Sequence, residues 1–234
     1  MRRAIGFLTP LGGPSVPDAT TLSWFPVVGA LIGTVVGGAW WGAQEIWPAA
    51  VAAAVVVAVD LAVTGLLHVD GLVDAADGLL PQVDRSRRLE IMAEPSVGAY
   101  GVAVAGVVLL ARFAAFATMD ASVLFVAGAW CGSLTVMAVA ARALPYARLE
   151  GGLASAFTGG DWRAVGLAGL VLAVALGVLA GGRQTELAIV LGMLAAAGVV
   201  ALGRRRLGGF TGDVLGAAGV IGETVALLVA AASW

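Results

Sequence analysis

Seven apolar stretches of membrane-spanning length constrain this chain more than any other feature of its sequence. A helix needs about 20 consecutive apolar residues to cross the hydrocarbon core of a bilayer. The stretches lie at residues 23–42, 49–68, 98–118, 122–143, 164–181, 186–203 and 214–233. Only 12% of the residues are charged, about half the share of roughly 25% in a soluble domain. We therefore predict an all-α, polytopic integral membrane bundle of about seven transmembrane helices, with residues 1–234 forming a single transmembrane domain.

Arginine is unevenly distributed between the loops, and this distribution predicts the orientation of the bundle. Loops with an excess of basic residues stay in the cytoplasm. One set of alternate loops and their edges holds Arg2, Arg3, Arg85, Arg87, Arg88, Arg142, Arg148, Arg163, Arg204, Arg205 and Arg206. The opposite loops hold Arg183 alone. We predict a cytoplasmic N-terminus and an external C-terminus.

Charged residues also lie inside the apolar stretches. Asp60 and Glu223 lie within two of them, and a charge at the bilayer centre costs roughly 2.5–3.5 kcal/mol on insertion scales. They imply a polar interior or a bound cation, or else protonated carboxyl groups that hydrogen-bond within the core. Arg112 lies near the outer end of its stretch, so we expect its side chain to snorkel to the membrane surface.

An acidic stripe follows the second apolar stretch. Residues 60–78 read DLAVTGLLHVDGLVDAADG, and on a helix, at about 100° per residue, Asp70, Asp74 and Asp77 share one narrow face. Like charges at this spacing repel by roughly 0.2–0.5 kcal/mol per pair, so the stripe predicts a bound cation that offsets the repulsion. Carboxylate oxygens suit Mg²⁺ or Mn²⁺ better than Zn²⁺. A solvated loop is the alternative interpretation, and the regular spacing disfavours it.

The residues around the stripe indicate what approaches it. Thr64 and His68, the only histidine, follow Asp60 at helical spacing and form a second stripe. Gly71 and Gly78 each follow an aspartate directly, although a glycine inside a helix costs roughly 0.5–1 kcal/mol relative to alanine. Two such glycines suggest that a bulky group, such as a phosphate that carries the metal, approaches the helix backbone.

Two further segments on the predicted cytoplasmic side carry groups suited to phosphate. Asp84 is expected to cap a short helix, in which Arg85 can bind a phosphate or a lipid headgroup. The next loop places Arg142, Tyr146 and Arg148 before a glycine-rich stretch. Guanidinium groups and backbone amides freed by glycine suit a nucleotide or a phosphate.

The last cytoplasmic segment reads RRRLGGFTGDVLGAAGVIGET from Arg204 onward. Gly209, Thr211 and Asp213 lie here, at the entry to the final apolar stretch, and Glu223 follows about three turns later. The polar groups of this segment therefore face the same membrane side as the acidic stripe.

These segments together resemble the cobalamin synthase family, the adenosylcobinamide-GDP ribazoletransferases. The matching stretches are TGLLHVDGLVDAADG (64–78), RRLEIM (87–92), GAYG (98–101), PYAR (145–148) and GGFTGDVLGAAGVIGE (208–223). Their order and spacing, and the apolar stretches between them, agree with the family almost from end to end.

The resemblance implies a polytopic enzyme of the bacterial inner membrane, with one catalytic domain and its active site on the cytoplasmic side. Such enzymes need Mg²⁺ and join adenosylcobinamide-GDP to α-ribazole or its 5′-phosphate, releasing GMP, in a late step of coenzyme B12 assembly. The implied partners are these small molecules and the lipid bilayer, with no nucleic acid. A homo-oligomer, or association with other enzymes of B12 assembly, is compatible with this interpretation.

Under this interpretation the candidate site residues fall into three groups. The catalytic candidates are His68, Asp70, Asp74 and Asp77. The candidates for metal ligands are Asp60, Asp70, Asp74, Asp77, Asp213 and Glu223. The candidates for substrate binding are Thr64, Gly71, Gly78, Arg85, Arg142, Tyr146, Arg148, Gly209 and Thr211. His68 is a candidate general base because an imidazole titrates near neutrality; orienting the metal or capping a helix are its alternative roles.

Two other classes of protein use similar features. A CDP-alcohol phosphotransferase also holds metal with an Asp/Gly motif on a membrane helix, but its motif carries an arginine that DGLVDAADG (70–78) lacks. A divalent-cation transporter built on Asp60 and Glu223 would leave the glycine- and arginine-rich loops without a role. Both are weaker interpretations of the sequence than the transferase.

Overall fold

The computed structural model describes residues 1–13, 18, 20–148 and 161–233, and within these ranges the secondary structure is helical, without strands. The α-helices are α1 (Arg2–Leu8), α2 (Phe25–Ile46), α3 (Ala49–Val63), α4 (Leu67–Leu79), α5 (Arg85–Ile91), α6 (Ala99–Thr118), α7 (Val123–Ala143), α8 (Trp162–Gly181), α9 (Arg183–Leu207) and α10 (Gly212–Ala230). Most of the glycine-rich stretch after Arg148 lies outside the described residues. The prediction of an all-α membrane bundle is confirmed.

Six of these helices are long and apolar enough to cross a membrane: α2, α6, α7, α8, α9 and α10. Their bounds lie within a few residues of six of the predicted stretches. The helices α3 and α4 pass the same test only as a pair, and the pair is bent by 88°. Counting the pair as one span gives seven.

The predicted span at residues 49–68 is therefore wrong in its second part. Helix α3 has 15 residues and rises about 22 Å, short of the roughly 30 Å of the hydrocarbon core. It ends at Val63, and the chain then turns through Gly65 (φ 57°) and Leu66 (φ 61°). Both lie in the left-handed region, which glycine adopts freely and leucine rarely. Helix α4 leaves this turn at nearly a right angle to α3.

Helices α7 and α10 form the centre of the bundle and are the most buried of the spans. Small residues let neighbours approach them at backbone distance, as is common between membrane helices. On α2, a Cβ atom added at Gly29 would lie 2.7 Å from the carbonyl oxygen of Trp130, and one at Gly33 would lie 2.6 Å from that of Val126. The α2–α7 pair is therefore held by close van der Waals packing.

A buried cluster of charges joins α3, α6 and α10 inside the bundle. The Arg112 guanidinium forms ion pairs with Asp60 of α3 and Glu223 of α10. It also donates from Nε to the hydroxyl of Thr224 at 2.8 Å, and it lies 5.3 Å above the ring centroid of Trp130. Trp130 in turn donates from Nε1 to Asp60 at 3.2 Å.

The expectation that Arg112 snorkels to the membrane surface is wrong. Its side chain is 2% exposed, because the two carboxylates and the indole ring hold it inside the protein. The polar interior implied by Asp60 and Glu223 is confirmed, and a guanidinium group supplies its positive charge.

Replacing Arg112 with glutamine should destabilise the bundle strongly. The R112Q variant would leave two buried carboxylates without their cation, and breaking a buried ion pair in this way costs about 3–5 kcal/mol. We expect a matching loss in the free energy of unfolding of the detergent-solubilised protein, measured by denaturant titration. R183Q changes an exposed arginine at the start of α9. It should shift the free energy of unfolding by less than about 0.5 kcal/mol. Equal stability of R112Q and R183Q would contradict the role of the cluster.

Candidate active site

A cavity of 230 Å³ opens at the end of the bundle where α2 and α10 begin and α7 ends. Its polar lining consists of His68, Asp70, Tyr146, Arg148 and Asp213. These residues come from α4, from the loop after α7 and from the start of α10. The fold therefore brings together three of the segments that the sequence analysis singled out.

Close packing of α4 against α10 places Asp70 of the acidic stripe at this cavity. A Cβ atom added at Gly71 would lie 3.0 Å from the Cα of Asp213, and one added at Gly216 would lie 3.2 Å from the carbonyl oxygen of His68. The bulky group that approaches Gly71 is therefore the backbone of α10. At Gly78 the neighbour is a side chain, because an added Cβ would lie 2.2 Å from the Cγ of Met92, just after α5.

Negative charge exceeds positive charge at the cavity. Asp70, Asp77 and Asp213 all act electrostatically on the Asp74 carboxylate, opposed by the positive charge of Arg148. Arg148 donates from Nη2 to Asp213 at 2.8 Å, so this cation is already paired with one of the acids. The remaining carboxylates repel one another.

Asp70 and Asp213 line the cavity and Asp74 lies within their electrostatic reach, and carboxylate oxygens are ligands that suit a magnesium ion. Within the described ranges, no three histidine, cysteine, aspartate or glutamate side chains are grouped closely enough to hold a metal ion alone. Magnesium is usually bound by one or two carboxylates, with water and substrate phosphates as the other ligands. Asp70, Asp74 and Asp213 are the carboxylates available for this purpose.

Asp77, predicted as a third ligand of the stripe, caps α6 instead. Its carboxylate accepts hydrogen bonds from the backbone amides of Gly98 at 2.7 Å and Gly101 at 2.9 Å. Cβ atoms at these glycines would lie 2.4 and 2.5 Å from the carboxylate oxygens. The GAYG motif thus makes room for Asp77 at the N-terminus of α6, and we do not retain Asp77 as a metal ligand.

Asp60 and Glu223 are also not retained as metal ligands. A polar interior or a bound cation was expected beside them, and in the structure the Arg112 guanidinium is the positive group that pairs with both. Thr64 donates its hydroxyl to the carbonyl oxygen of Asp60 at 2.8 Å. It lies at the C-terminal end of α3 and does not line the cavity.

Two arginines predicted to bind phosphate hold loops together. Arg85 donates from Nε to the carbonyl oxygen of Leu207 at 2.7 Å and from Nη2 to that of Ala147 at 2.8 Å. Arg142 donates to the carbonyl oxygen of Asp161 and to the hydroxyl of Ser23, each at 2.8 Å. Of the three predicted arginines, Arg148 alone lines the cavity.

Gly209 and Thr211 shape the start of α10. A Cβ atom at Gly209 would lie 2.1 Å from the carbonyl oxygen of Pro145, so the glycine allows the two loops to touch. The Thr211 hydroxyl accepts a hydrogen bond from the Val214 amide at 3.2 Å and caps the helix.

Asp84 caps α5 as predicted. Its carboxylate accepts a hydrogen bond from the Arg87 amide at 2.9 Å, which keeps the pKa of Asp84 below its usual range.

Tyr146 contributes a hydroxyl group to the cavity. Its ring packs edge-on against Phe210 at a centroid distance of 5.4 Å. Partial burial raises the pKa of Tyr146 above its ordinary value, although the positive charge of Arg148 opposes the shift. The phenol therefore stays neutral near pH 7 and can both donate and accept a hydrogen bond.

The apolar side of the cavity has no counterpart among the residues singled out from the sequence. Phe7, Phe25, Met137 and Leu215 line it, and the rings of Phe7 and Phe25 stack with centroids 6.1 Å apart. These residues come from four helices, so no local pattern in the sequence connects them. The stretch FLTP from Phe7 and the pair FP from Phe25 also resemble the cobalamin synthase family, and that resemblance is the signal that could have located these two residues.

Fold and site together define a polytopic membrane protein with a partly enclosed acidic cavity at one end of its bundle. Residues 1–231 match the family described as cobalamin-5-phosphate synthase, and the chain belongs to that family. It is 37% identical over 218 residues to the adenosylcobinamide-GDP ribazoletransferase of Chlorobium phaeovibrioides, covering 91% of this chain and 87% of the relative. The protein of the same name from Thermosynechococcus vestitus is 36% identical, covering 91% and 86% respectively. No solved structure matches the chain.

Changing Asp77 to asparagine should weaken the junction between α4 and α6. An amide has one acceptor oxygen where the carboxylate has two, so D77N would leave one of the two backbone amides without its partner. Such a loss costs about 1–3 kcal/mol, and we expect that decrease in the free energy of unfolding. D120N, which alters an exposed aspartate at the opposite end, is the matched control. If the two variants were equally stable, the capping role of Asp77 would be excluded.

Proposed function

We propose that this protein is a magnesium-dependent transferase of late coenzyme B12 assembly, joining adenosylcobinamide-GDP to α-ribazole or its 5′-phosphate. Relatives that cover about nine-tenths of the chain carry the name adenosylcobinamide-GDP ribazoletransferase. The observation that carries the proposal is the surplus of carboxylates at one cavity, beside a single arginine. A divalent cation would oppose that surplus and could hold the diphosphate of the substrate beside it.

The proposed reaction exchanges one phosphorus–oxygen bond for another. A ribose hydroxyl oxygen of the acceptor attacks the phosphorus that stays with the corrinoid, and the bond from that phosphorus to the GMP oxygen breaks. The hydroxyl proton leaves with the attack, and GMP departs with the bonding electron pair. The balance needs no oxidant, reductant or further reactant.

The residues at the cavity supply positioning and charge for this reaction. The Arg148 guanidinium, held in place by Asp213, can donate hydrogen bonds to phosphate oxygens. Tyr146 can donate its hydroxyl to a substrate oxygen. Asp70 lines the cavity and is exposed, so it can accept the hydroxyl proton and release it to water. Transfer of this kind depends mainly on positioning and electrostatic stabilisation.

Asp74 and Asp213 would hold the magnesium ion, beside Asp70. When bound, the ion would supply charge stabilisation at the phosphate oxygens and at the leaving group. Two carboxylates leave ligand positions open for water and for substrate phosphates.

We propose that His68 orients a bound ligand and does not act as the general base. Its side chain is 3% exposed and lies within the electrostatic reach of Arg112. A general base becomes positively charged when it takes a proton, and a buried second positive charge beside a guanidinium group is unfavourable. Asp70 lies at the open side of the cavity and becomes neutral when it takes a proton, so it avoids the cost of a second buried positive charge.

We further propose that the cavity faces the cytoplasm of a bacterial inner membrane. Arg204 and Arg205 lie at the cavity end, where α9 finishes, whereas Arg183 lies at the other end, as the positive-inside rule requires. A membrane-impermeant maleimide applied to spheroplasts should label R183C and leave R205C unlabelled. The native Cys131 is buried and gives little background. Labelling of R205C alone would reverse the orientation.

Changing Asp74 to asparagine should abolish most of the activity while leaving the protein folded. We expect D74N to lose about 100-fold or more in the rate of GMP release, because it removes one of the carboxylates that would hold the ion. The assay uses the purified, detergent-solubilised protein with adenosylcobinamide-GDP, α-ribazole and a titration of Mg²⁺. D120N should retain the wild-type rate. Wild-type turnover by D74N at low Mg²⁺ would refute the metal assignment.

A further inference from the structure

The apolar side of the cavity reaches into the bundle at Met137. This residue lies six residues before the end of α7, about 9 Å inside the bundle at the rise of a helix. Leu215, in the first turn of α10, and the stacked rings of Phe7 and Phe25 complete the apolar lining. The lining thus has a polar part that includes Arg148 and an apolar part, the apolar end, that reaches to Met137.

The size of the cavity limits what can fill the apolar end. Pockets for drug-sized ligands measure about 300–1,000 Å³, and this cavity of 230 Å³ falls below that range. A corrin ring, which is larger than a drug-sized ligand, cannot enter. One pair of fused aromatic rings can, with the attached sugar reaching toward the polar end.

Because its lining is apolar, this end of the cavity favours one of the two bases that the substrates carry. Guanine presents several hydrogen-bond donors and acceptors along its edges, and each one left unpaired on burial costs about 1–3 kcal/mol. The base of α-ribazole is a benzimidazole with two methyl groups and one free acceptor nitrogen. The apolar lining therefore suits the base of α-ribazole and excludes guanine.

His68 supplies the one polar contact that this base needs. It lines the cavity, and its Nε2 atom is buried without a hydrogen-bond partner among the described residues. A neutral imidazole carries one N–H group and can donate it. A single buried donor matches a base with a single acceptor nitrogen.

We propose that Phe7, Phe25, Met137 and Leu215 form the subsite for the apolar bicyclic base of the acceptor riboside, with His68 donating to its ring nitrogen. These side chains would determine which base the protein accepts, and the ribose would lie toward Asp70 and Arg148. The inference rests on the proposed function, because it identifies the acceptor of that same reaction. It adds the location of the acceptor and the residues that select its base.

The test is to fill the subsite and then restore the fit with a smaller base. The L215F variant adds volume at the apolar end. We expect the KM for α-ribazole to rise at least tenfold, while the KM for adenosylcobinamide-GDP stays within twofold of the wild-type value. The riboside of unsubstituted benzimidazole, which lacks the two methyl groups, should recover most of the loss. The control L228F makes the same change on the same helix at a side chain that is 44% exposed.

A second variant and a binding measurement keep the two proposals separable. If L215F does not fold, F7A enlarges the cavity from the short helix α1, and it should accept a riboside with a third fused ring that the wild type rejects. Isothermal titration of α-ribazole alone measures the subsite without turnover. If the wild type binds α-ribazole more tightly than L215F and yet releases no GMP, that result would support the subsite and refute the proposed reaction. Equal effects of L215F and L228F, or equal losses for both substrates, would overturn the subsite.

Discussion

The ion cluster around Arg112 fixes the arrangement on which the rest of the molecule depends. A guanidinium group buried among apolar helices must have partners, because an isolated charge there is costly. Its partners are Asp60, at the last turn of α3, and Glu223, in the middle of α10. The cluster therefore sets the position of α3 relative to α10. Since only three residues separate α3 from α4, the cluster also limits where α4 can lie.

The position of α4 determines the electrostatics of the cavity. Gly71 and Gly216 let α4 and α10 approach each other closely, and this brings Asp70 and Asp74 near Asp213. In the buried cluster two acids share one arginine inside the protein. At the cavity Arg148 forms an ion pair with Asp213, and Asp70 lies at the same cavity, at a place that substrate can reach. The first arrangement is enclosed within the protein, whereas the second is open to a ligand that brings positive charge.

The sequence predicts those parts of the structure that depend on local composition. The spans at α6, α7 and α8 follow from apolar length and polar ends, and the cap at Asp84 follows from its position before a helix. The sequence does not reveal which face of a helix a residue occupies or what lies across from it. Arg112 was therefore expected at the surface. The bend after Val63 places Gly65 and Leu66 in the left-handed region, which the apolar pattern does not indicate.

For the candidate site, too, the sequence predicts what depends on local spacing and not what depends on tertiary contacts. Spacing alone places Asp70 and Asp74 together, and the family motifs place Asp213 and Arg148 on the same membrane side. The role of Asp77 could not be predicted, because its partners are backbone amides more than 20 residues away. Likewise, Phe7 and Met137 meet only after folding. Local spacing thus identifies the acids, and the tertiary structure decides which of them remain available to a ligand.

The central claim is that the free carboxylates bind a divalent ion together with a diphosphate substrate. Electron paramagnetic resonance of Mn²⁺, used in place of Mg²⁺, measures this most directly. The account predicts that adenosylcobinamide-GDP tightens Mn²⁺ binding and produces hyperfine coupling between Mn²⁺ and phosphorus, and that both effects are lost in D74N. Mn²⁺ binding that is indifferent to the substrate, or equal in the wild type and D74N, would contradict the account.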